Sequence, residues 1–216
     1  MEQLDQIIKT ISLTMGAAWA SGINLYATIL VLGFMGLTEN IVLPQGLDII
    51  MNPMVMAAAG FMYFVEFFAD KVPGVDTGWD AIHTFVRIPA GVMIAAGAVG
   101  EVNPAVTMAA AILGGGVAAG SHFTKAGTRV LINASPEPVS NWTASVLEDI
   151  AVIAGVWAAL QHPVIFLVLL AVFIILVIWL LPKIWAAIKK FFTMLKRVFK
   201  GKNNVSNEVK PINGTE

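Results

Sequence analysis

The chain has 216 residues, of which 57% are hydrophobic and only 12% charged, and its mean hydropathy is +0.79. A soluble domain of this size carries about 25% charged residues, so the composition excludes a soluble globular protein and makes lipid the solvent in which the fold is read. The net charge of −1 says nothing about partners because the charges are unevenly placed, no nucleic-acid partner is expected, and the absence of cysteine excludes disulfides, thiolate metal sites and cysteine nucleophiles.

The first residues, M-E-Q-L-D-Q-I-I-K-T-I-S-L, are acidic and lack the basic n-region of a cleaved signal peptide. A spanning helix needs about 20 mostly apolar residues. Six segments approach that length: 8–36, 53–70, 83–100, 104–123, 145–161 and 163–182. The first is too long for one straight crossing and places Ser21, Gly22, Asn24 and Thr28 near its middle. These are either polar groups that join helices or a helix break lining a cavity, and the pairing of Gly22 with Asn24 favours the break.

The second segment closes on E66-F-F-A-D70-K71-V-P-G. Glu66 and Asp70 are four apart and share one helix face, a geometry able to hold a cation; a divalent ion is compatible with the pair, and no other cofactor is indicated. Ahead of the third segment lies D70-K-V-P-G-V-D76-T-G-W-D80, dense in turn formers yet carrying a tryptophan suited to an interface. Thr77…Asp80 and Ser145…Glu148 each match a capping box, so Asp80 and Glu148 are expected to begin spans three and five. Arg87 stands two residues before Pro89, expected to kink or start the membrane part of its helix.

The fourth segment, A-A-A-I-L-G-G-G-V-A-A-G-S-H-F-T-K, stacks Ala110, Gly114 and Ala118, and Gly116 and Gly120, at helical spacing for close backbone approach. It lacks the Lys-Ser/Thr ending of a nucleotide loop. His122 and Lys125 follow three apart, and Asp149 lies in the fifth segment. Lys71 and Arg129 read as loop anchors. The sixth segment, V-I-F-L-V-L-L-A-V-F-I-I-L-V-I-W-L-L, has no polar residue. After Pro182 apolar residues recur at helical spacing between lysines, which predicts a basic amphipathic helix over 183–201 lying on the membrane surface, with 183–200 held by anionic lipid. Residues 202–216 are expected to form a disordered tail. Ser135 lacks a nucleophile-elbow context, and Asn133, Asn141 and Asn213 sit in glycosylation sequons on the side where those carry no signal.

Lysines and arginines set orientation. Lys183, Lys189, Lys190, Lys196, Arg197, Lys200 and Lys202 put the C-terminal stretch in the cytoplasm. Counting back six spans places 71–87 and 124–144 there too, with Lys71, Arg87, Lys125 and Arg129, while 37–52, 100–103 and 161–163 hold no Lys or Arg. The expected topology has both termini inside. Segments 53–100 and 104–161 also share an M-A-A-A start, an inner lysine and a Pro- and Trp-bearing loop, which suggests a parallel duplicated hairpin within a 1–182 transmembrane domain.

G22-I-N-L-Y-A-T, E66-F-F-A-D-K-V-P, W79-D80…R87-I-P-A-G and K125-A-G-T-R…N-A-S-P-E-P-V-S-N resemble an uncharacterised bacterial membrane family, catalogued as domain of unknown function 4126, over roughly residues 10–165. The resemblance implies a multi-pass protein of a bacterial inner membrane and brings no activity with it. A second likeness is to cation exchangers with an E-x-G-D-K/R-S/T motif; here the spacing is E-x-x-x-D-K, no Ser or Thr follows, and Ser121-His122 supplies no acidic partner.

The sequence thus describes an all-α integral membrane protein of about six transmembrane helices, with the bilayer as its solvent and oligomerisation left open. Ionisable residues inside a membrane mark pathways and sites. Asn24, Glu66, Asp70, Asp76, Arg87, His122, Lys125 and Asp149 are therefore the candidate residues for an ion or small charged solute, in a transporter or channel whose site lies in the cytoplasmic half. The alternatives are an intramembrane enzyme acting on a lipid phosphate head group, for which no D-G-x-x-A-R or H-E-x-x-H pattern is found, and a non-catalytic assembly or lipid-sensing protein.

Overall fold

The structure, a computed structural model, describes residues 1–134 and 138–207; Ser135, the Asn213 sequon and the tail beyond 207 lie outside the described residues. Six helices follow in order: α1 (Glu2–Leu37), α2 (Pro53–Ala69), α3 (Val75–Ala98), α4 (Pro104–Ile132), α5 (Pro138–Gln161) and α6 (Pro163–Asn207), with a short 3-10 helix at Gln45–Met51. Five of them are long and apolar enough to cross a membrane, and the bent pair of the 3-10 helix and α2 makes a sixth. α2 and α4 both begin on Asn-Pro: Asn52 accepts from the Met54 amide and Asn103 from the Ala105 amide, with proline at the first helical position, where its missing N–H costs nothing.

α3 begins at Val75, not 83, and α5 at Pro138, not 145. Asp80 and Glu148 consequently lie inside their helices and cap nothing: α3 starts at Gly74, with no side-chain cap. Hydropathy undervalues these opening turns because they carry Asp76, Asp80 and Asn141, and each of these is fully buried with partners. Pro89 is accommodated within a continuous α3.

α1 is two helices in one. Asn24 has non-helical backbone angles (φ −145°, ψ 99°) in the middle of the 36-residue run. Its first arm begins beside the α3–α4 connection, where Gln3, Thr10 and Thr14 face Val99, Val102 and Val106 across a groove of about 810 Å³. The second arm comes back to the same end: Gly33 packs on the Ile50 carbonyl, Gly36 on Leu43 and Met51, and Gly46 on the Gly97 backbone. The helix turns at Asn24, and the far ends of its two arms lie at the same end of the bundle.

Small residues let α1, α3 and α4 meet at backbone distance. A side chain at Gly22 would strike the Ser121 hydroxyl and the Ala118 carbonyl, one at Gly91 would strike Ala118, and one at Gly114 would strike Ala95. Of the two predicted stripes on α4, Ala110, Gly114 and Ala118 are buried, whereas Gly116 has nothing within 4 Å. The apolar window of α1 is 56% buried and that of α6 only 11%, so α1 forms the centre of the bundle and α6 its lipid-facing wall. α6 also runs through Pro182 without a break. Residues 183–201 therefore continue that helix, and Ile184 packs onto Gly127 of α4.

The start of α1 lies by Val99–Val106, while Ile184 and Ile188 of α6 lie by Thr77 and Ala81 at the other end of the bundle. Lys9 lies at the end of the bundle away from the charge network, where it pairs with Asp5 at 2.6 Å. The chain has no cysteine, so single cysteines report sidedness directly. Gln3→Cys and Glu101→Cys are expected to react with an impermeant maleimide from one face of oriented vesicles, and Thr193→Cys only from the other; Gln3→Cys and Thr193→Cys reacting from the same face would contradict the fold.

Candidate functional site

The end of α2, the first turns of α3 and α5 and the later turns of α4 meet in a buried network of charges. Glu66, on the last full turn of α2, is completely buried. Its Oε1 lies 2.6 Å from Arg87 Nη2 and 3.2 Å from Lys125 Nζ. Arg87 reaches back two turns along α3 to Asp80 Oδ1 at 2.8 Å. Lys125 Nζ has four further oxygens around it: Asp70 Oδ2 at 3.0 Å, Glu148 Oε2 at 3.4 Å, Asp80 Oδ1 at 3.8 Å and the Ile23 carbonyl at 3.2 Å. That last contact ties the network to the α1 break, because Asn24 is the residue that leaves the helical path there.

Arg129 is the third cation. It grips Glu148 with two bonds, Nε to Oε1 at 3.1 Å and Nη2 to Oε2 at 2.6 Å, and reaches the Asp70 carboxylate at 3.4 Å. It also donates to the Asp70 and Asn141 carbonyls. The paired forks fit guanidinium geometry, which an ammonium cannot copy. Asp76 lies 3.9 Å from Arg129 and accepts from Asn133, which in turn accepts from Asn141. This chain of side chains locks the α2–α3 turn to the α4–α5 connection.

His122 is held on both ring nitrogens, by Thr84 at 2.7 Å and Arg87 at 3.4 Å. Because the Thr84 hydroxyl donates to the Asp80 carbonyl, the consistent arrangement has His122 Nε2–H donating to Thr84 and Nδ1 accepting from Arg87. Asp149 forms a smaller neighbouring group, accepting from Asn24 Nδ2 at 3.0 Å and Tyr63 at 3.1 Å. Asn24 also caps the second arm of α1, its Oδ1 accepting from the Ala27 amide. Tyr26 and His83 make a further buried contact at 3.0 Å on the α3 side.

Of the eight sequence candidates, Glu66, Asp70, Arg87, His122 and Lys125 touch one another directly or through one shared partner; Asp76 joins through Arg129, and Asn24 and Asp149 pair beside them. Sequence reasoning set aside three members. Asp80 and Glu148 looked like caps, and Arg129 like an anchor, yet Arg129 is fully buried. A usable signal was spacing, since Asp80 and Arg87 are seven apart and Lys125 and Arg129 four apart, so each pair stands on one helix face. Lys71, the other expected anchor, does stay at the α2–α3 turn, donating to the Phe67 carbonyl and lying 2.9 Å from the centre of its ring. Its partial desolvation there lowers its pKa from the ordinary lysine value.

The network is rich in acceptors. Glu66, Asp70, Asp76, Asp80 and Glu148 stand against Arg87, Lys125 and Arg129, two negative charges over. Glu66 Oε2, Asp70 Oδ1, Asp76 Oδ2 and Asp80 Oδ2 are buried without a hydrogen-bond partner. A pocket of about 250 Å³ at the depth of Ser121–Thr128 and Phe173 reaches the network from the side, at Lys125 and Glu148. The 810 Å³ groove at the opposite end, though larger, is lined by no charged residue. Among the described residues no group of three His, Asp or Glu is placed to hold a metal ion; the Glu66–Asp70 face suggested for a cation is bridged by Lys125.

Fold and site together define a multi-pass helical membrane protein with a buried ion network at a broken helix. The chain belongs to the family described as domain of unknown function (DUF4126), whose model matches residues 11–183 and so contains every member of the network. No curated protein and no solved structure matches it.

Removing one partner of a buried ion pair strands the other and costs about 3–5 kcal/mol. Arg87→Met, which leaves Glu66 and Asp80 unpaired, is expected to lower stability by about that much. Lys71→Ala is expected to stay within about 0.5 kcal/mol of the parent. Thermal unfolding in detergent, followed by tryptophan fluorescence, measures both.

Proposed function

We propose that the protein is a transporter or channel for an ion or small charged solute, and that the network centred on Glu66, Arg87 and Lys125 is its site. The observation that carries this reading is the coincidence of three features at one place. Cations and surplus carboxylates are buried. The most buried helix of the bundle, α1, breaks against them at Asn24. A pocket leads to them from the side. Broken helices with free backbone groups beside ionisable side chains are how helical membrane proteins build sites at mid-depth, and charges there are costly to keep without a use. By the positive-inside rule the end bearing Lys71 and the lysines after Pro182 is placed on the cytoplasmic side, in a bacterial inner membrane. The site then lies in the cytoplasmic half and the start of α1 on the opposite face. The lipid-phosphate enzyme reading calls for a divalent-metal group, and no three acidic or histidine ligands converge to form one among the described residues.

Purified protein in liposomes, tested against a panel of ions and small charged solutes, is expected to show flux of at least one of them that falls at least tenfold in Glu66→Gln. If nothing in the panel moves in a Glu66-dependent way, the transport reading fails.

A further inference from the structure

We propose that Asp149 is a proton-binding site, taking up and releasing the proton to which movement of the solute is coupled. This names the coupling ion of the site above and rests, for its use, on the transport reading; the network around Glu66 and Lys125 stays the solute's site.

The first argument is charge balance. Glu66, Asp70, Asp76, Asp80 and Glu148 each have a lysine or arginine nitrogen within 3.9 Å. Asp149 has no such partner among the described residues; its two contacts, Asn24 and Tyr63, are neutral. It stands on a helix that reads as a membrane span, Val139–Gln161. At 1.5 Å per residue it lies about 18 Å from the Gln161 end, inside a hydrocarbon layer about 30 Å thick. Of the acids gathered here, it is the one whose charge only a proton can neutralise. Asp70 and Lys71 at the end of α2 and Lys125 on α4 act on it from beyond ion-pair distance. Glu66 and its chain neighbour Glu148 are turned to Arg87 and Arg129, and α1 brings only uncharged Asn24.

The second argument is that the surroundings suit both states. Asn24 Nδ2 donates to Oδ1 and the Tyr63 hydroxyl to Oδ2. An amide nitrogen can only donate, whereas a phenol donates or accepts. A proton from water therefore lands on Oδ2, and the Tyr63 hydroxyl turns to accept it while the Asn24 bond persists. No other bond breaks, and release runs the same step backwards. Neither change is open to the network acids, whose protonation would strand a buried cation.

The third argument is connection. Asn24 is the residue with non-helical backbone angles in α1, and the carbonyl just before it, on Ile23, holds Lys125. Tyr63 lies on α2, whose buried residues are only Ala59, Glu66 and Ala69. That helix is thus held at this depth by Tyr63–Asp149 and by the ion pairs of Glu66 and Asp70. The proton site touches both elements that border the network.

The test is infrared difference spectroscopy on protein in lipid, the bath stepped between mildly alkaline and mildly acid. Exposed carboxyls titrate at about 4 and stay ionised over that step. The parent is expected to gain a protonated-carboxyl band that Asp149→Asn lacks and whose frequency changes in Tyr63→Phe. If Asp149→Asn does not fold, Tyr63→Phe carries the assignment. No band in the parent, a band that survives Asp149→Asn, one that ignores Tyr63→Phe, or one lost in Glu66→Gln overturns the proposal. In liposomes, flux of a panel solute is expected to follow an imposed pH gradient and to lose that response in Asp149→Asn; a response kept in Asp149→Asn overturns the coupling. If no solute moves, the transport reading fails, and the band alone decides whether Asp149 holds the proton.

Discussion

Charges cannot be carried into a bilayer one at a time, and most of this fold follows from that constraint. An ionised side chain at the membrane centre costs roughly 2.5–3.5 kcal/mol on insertion scales, so Arg87, Lys125 and Arg129 are tolerable only where carboxylates meet them. Glu66 and Asp70 come from α2, Asp80 from α3 and Glu148 from α5. Satisfying the cations of α3 and α4 with carboxylates from α2, α3 and α5 fixes the depth at which those helices stand against one another. It also explains why α3 and α5 remain helical through turns that hydropathy would leave in water.

The break in α1 belongs to the same constraint. A helix that stayed regular past Ile23 would use that carbonyl internally; the departure at Asn24 frees it for Lys125. Asn24 then repairs both sides, capping the second arm through Ala27 and joining Asp149. Gly22, Gly91 and Gly114 allow the arms to come close enough for this to happen. Packing and electrostatics therefore act on one residue neighbourhood, and the most buried helix of the bundle is also the one that is interrupted.

Much of this was legible in the sequence. The six helical segments, the break near Gly22 and Asn24, and Glu66 with Asp70 on one face all follow from length, spacing and the rarity of charge. What escaped has physical reasons. Asp80 and Glu148 fit a local capping pattern, and no single sequence shows that a distant arginine outcompetes a local amide. Arg129 sits near a predicted loop, where the inside-positive rule explains any basic residue equally well. The path of α1 was not legible, because periodicity records helix length but not direction, so a helix that returns on itself reads as one that goes through; only its excess length hinted otherwise.

The central claim is that the buried carboxylates around Lys125 are where the protein meets its ion. Infrared difference spectroscopy tests it most directly, on protein reconstituted in lipid while the bath is stepped between choline chloride and the salt of an ion that moves in the flux panel. The account predicts difference bands in the carboxylate stretching region that are lost or shifted in Glu66→Gln. A carboxylate region that stays silent, or that responds identically in the parent and in Glu66→Gln, would contradict it.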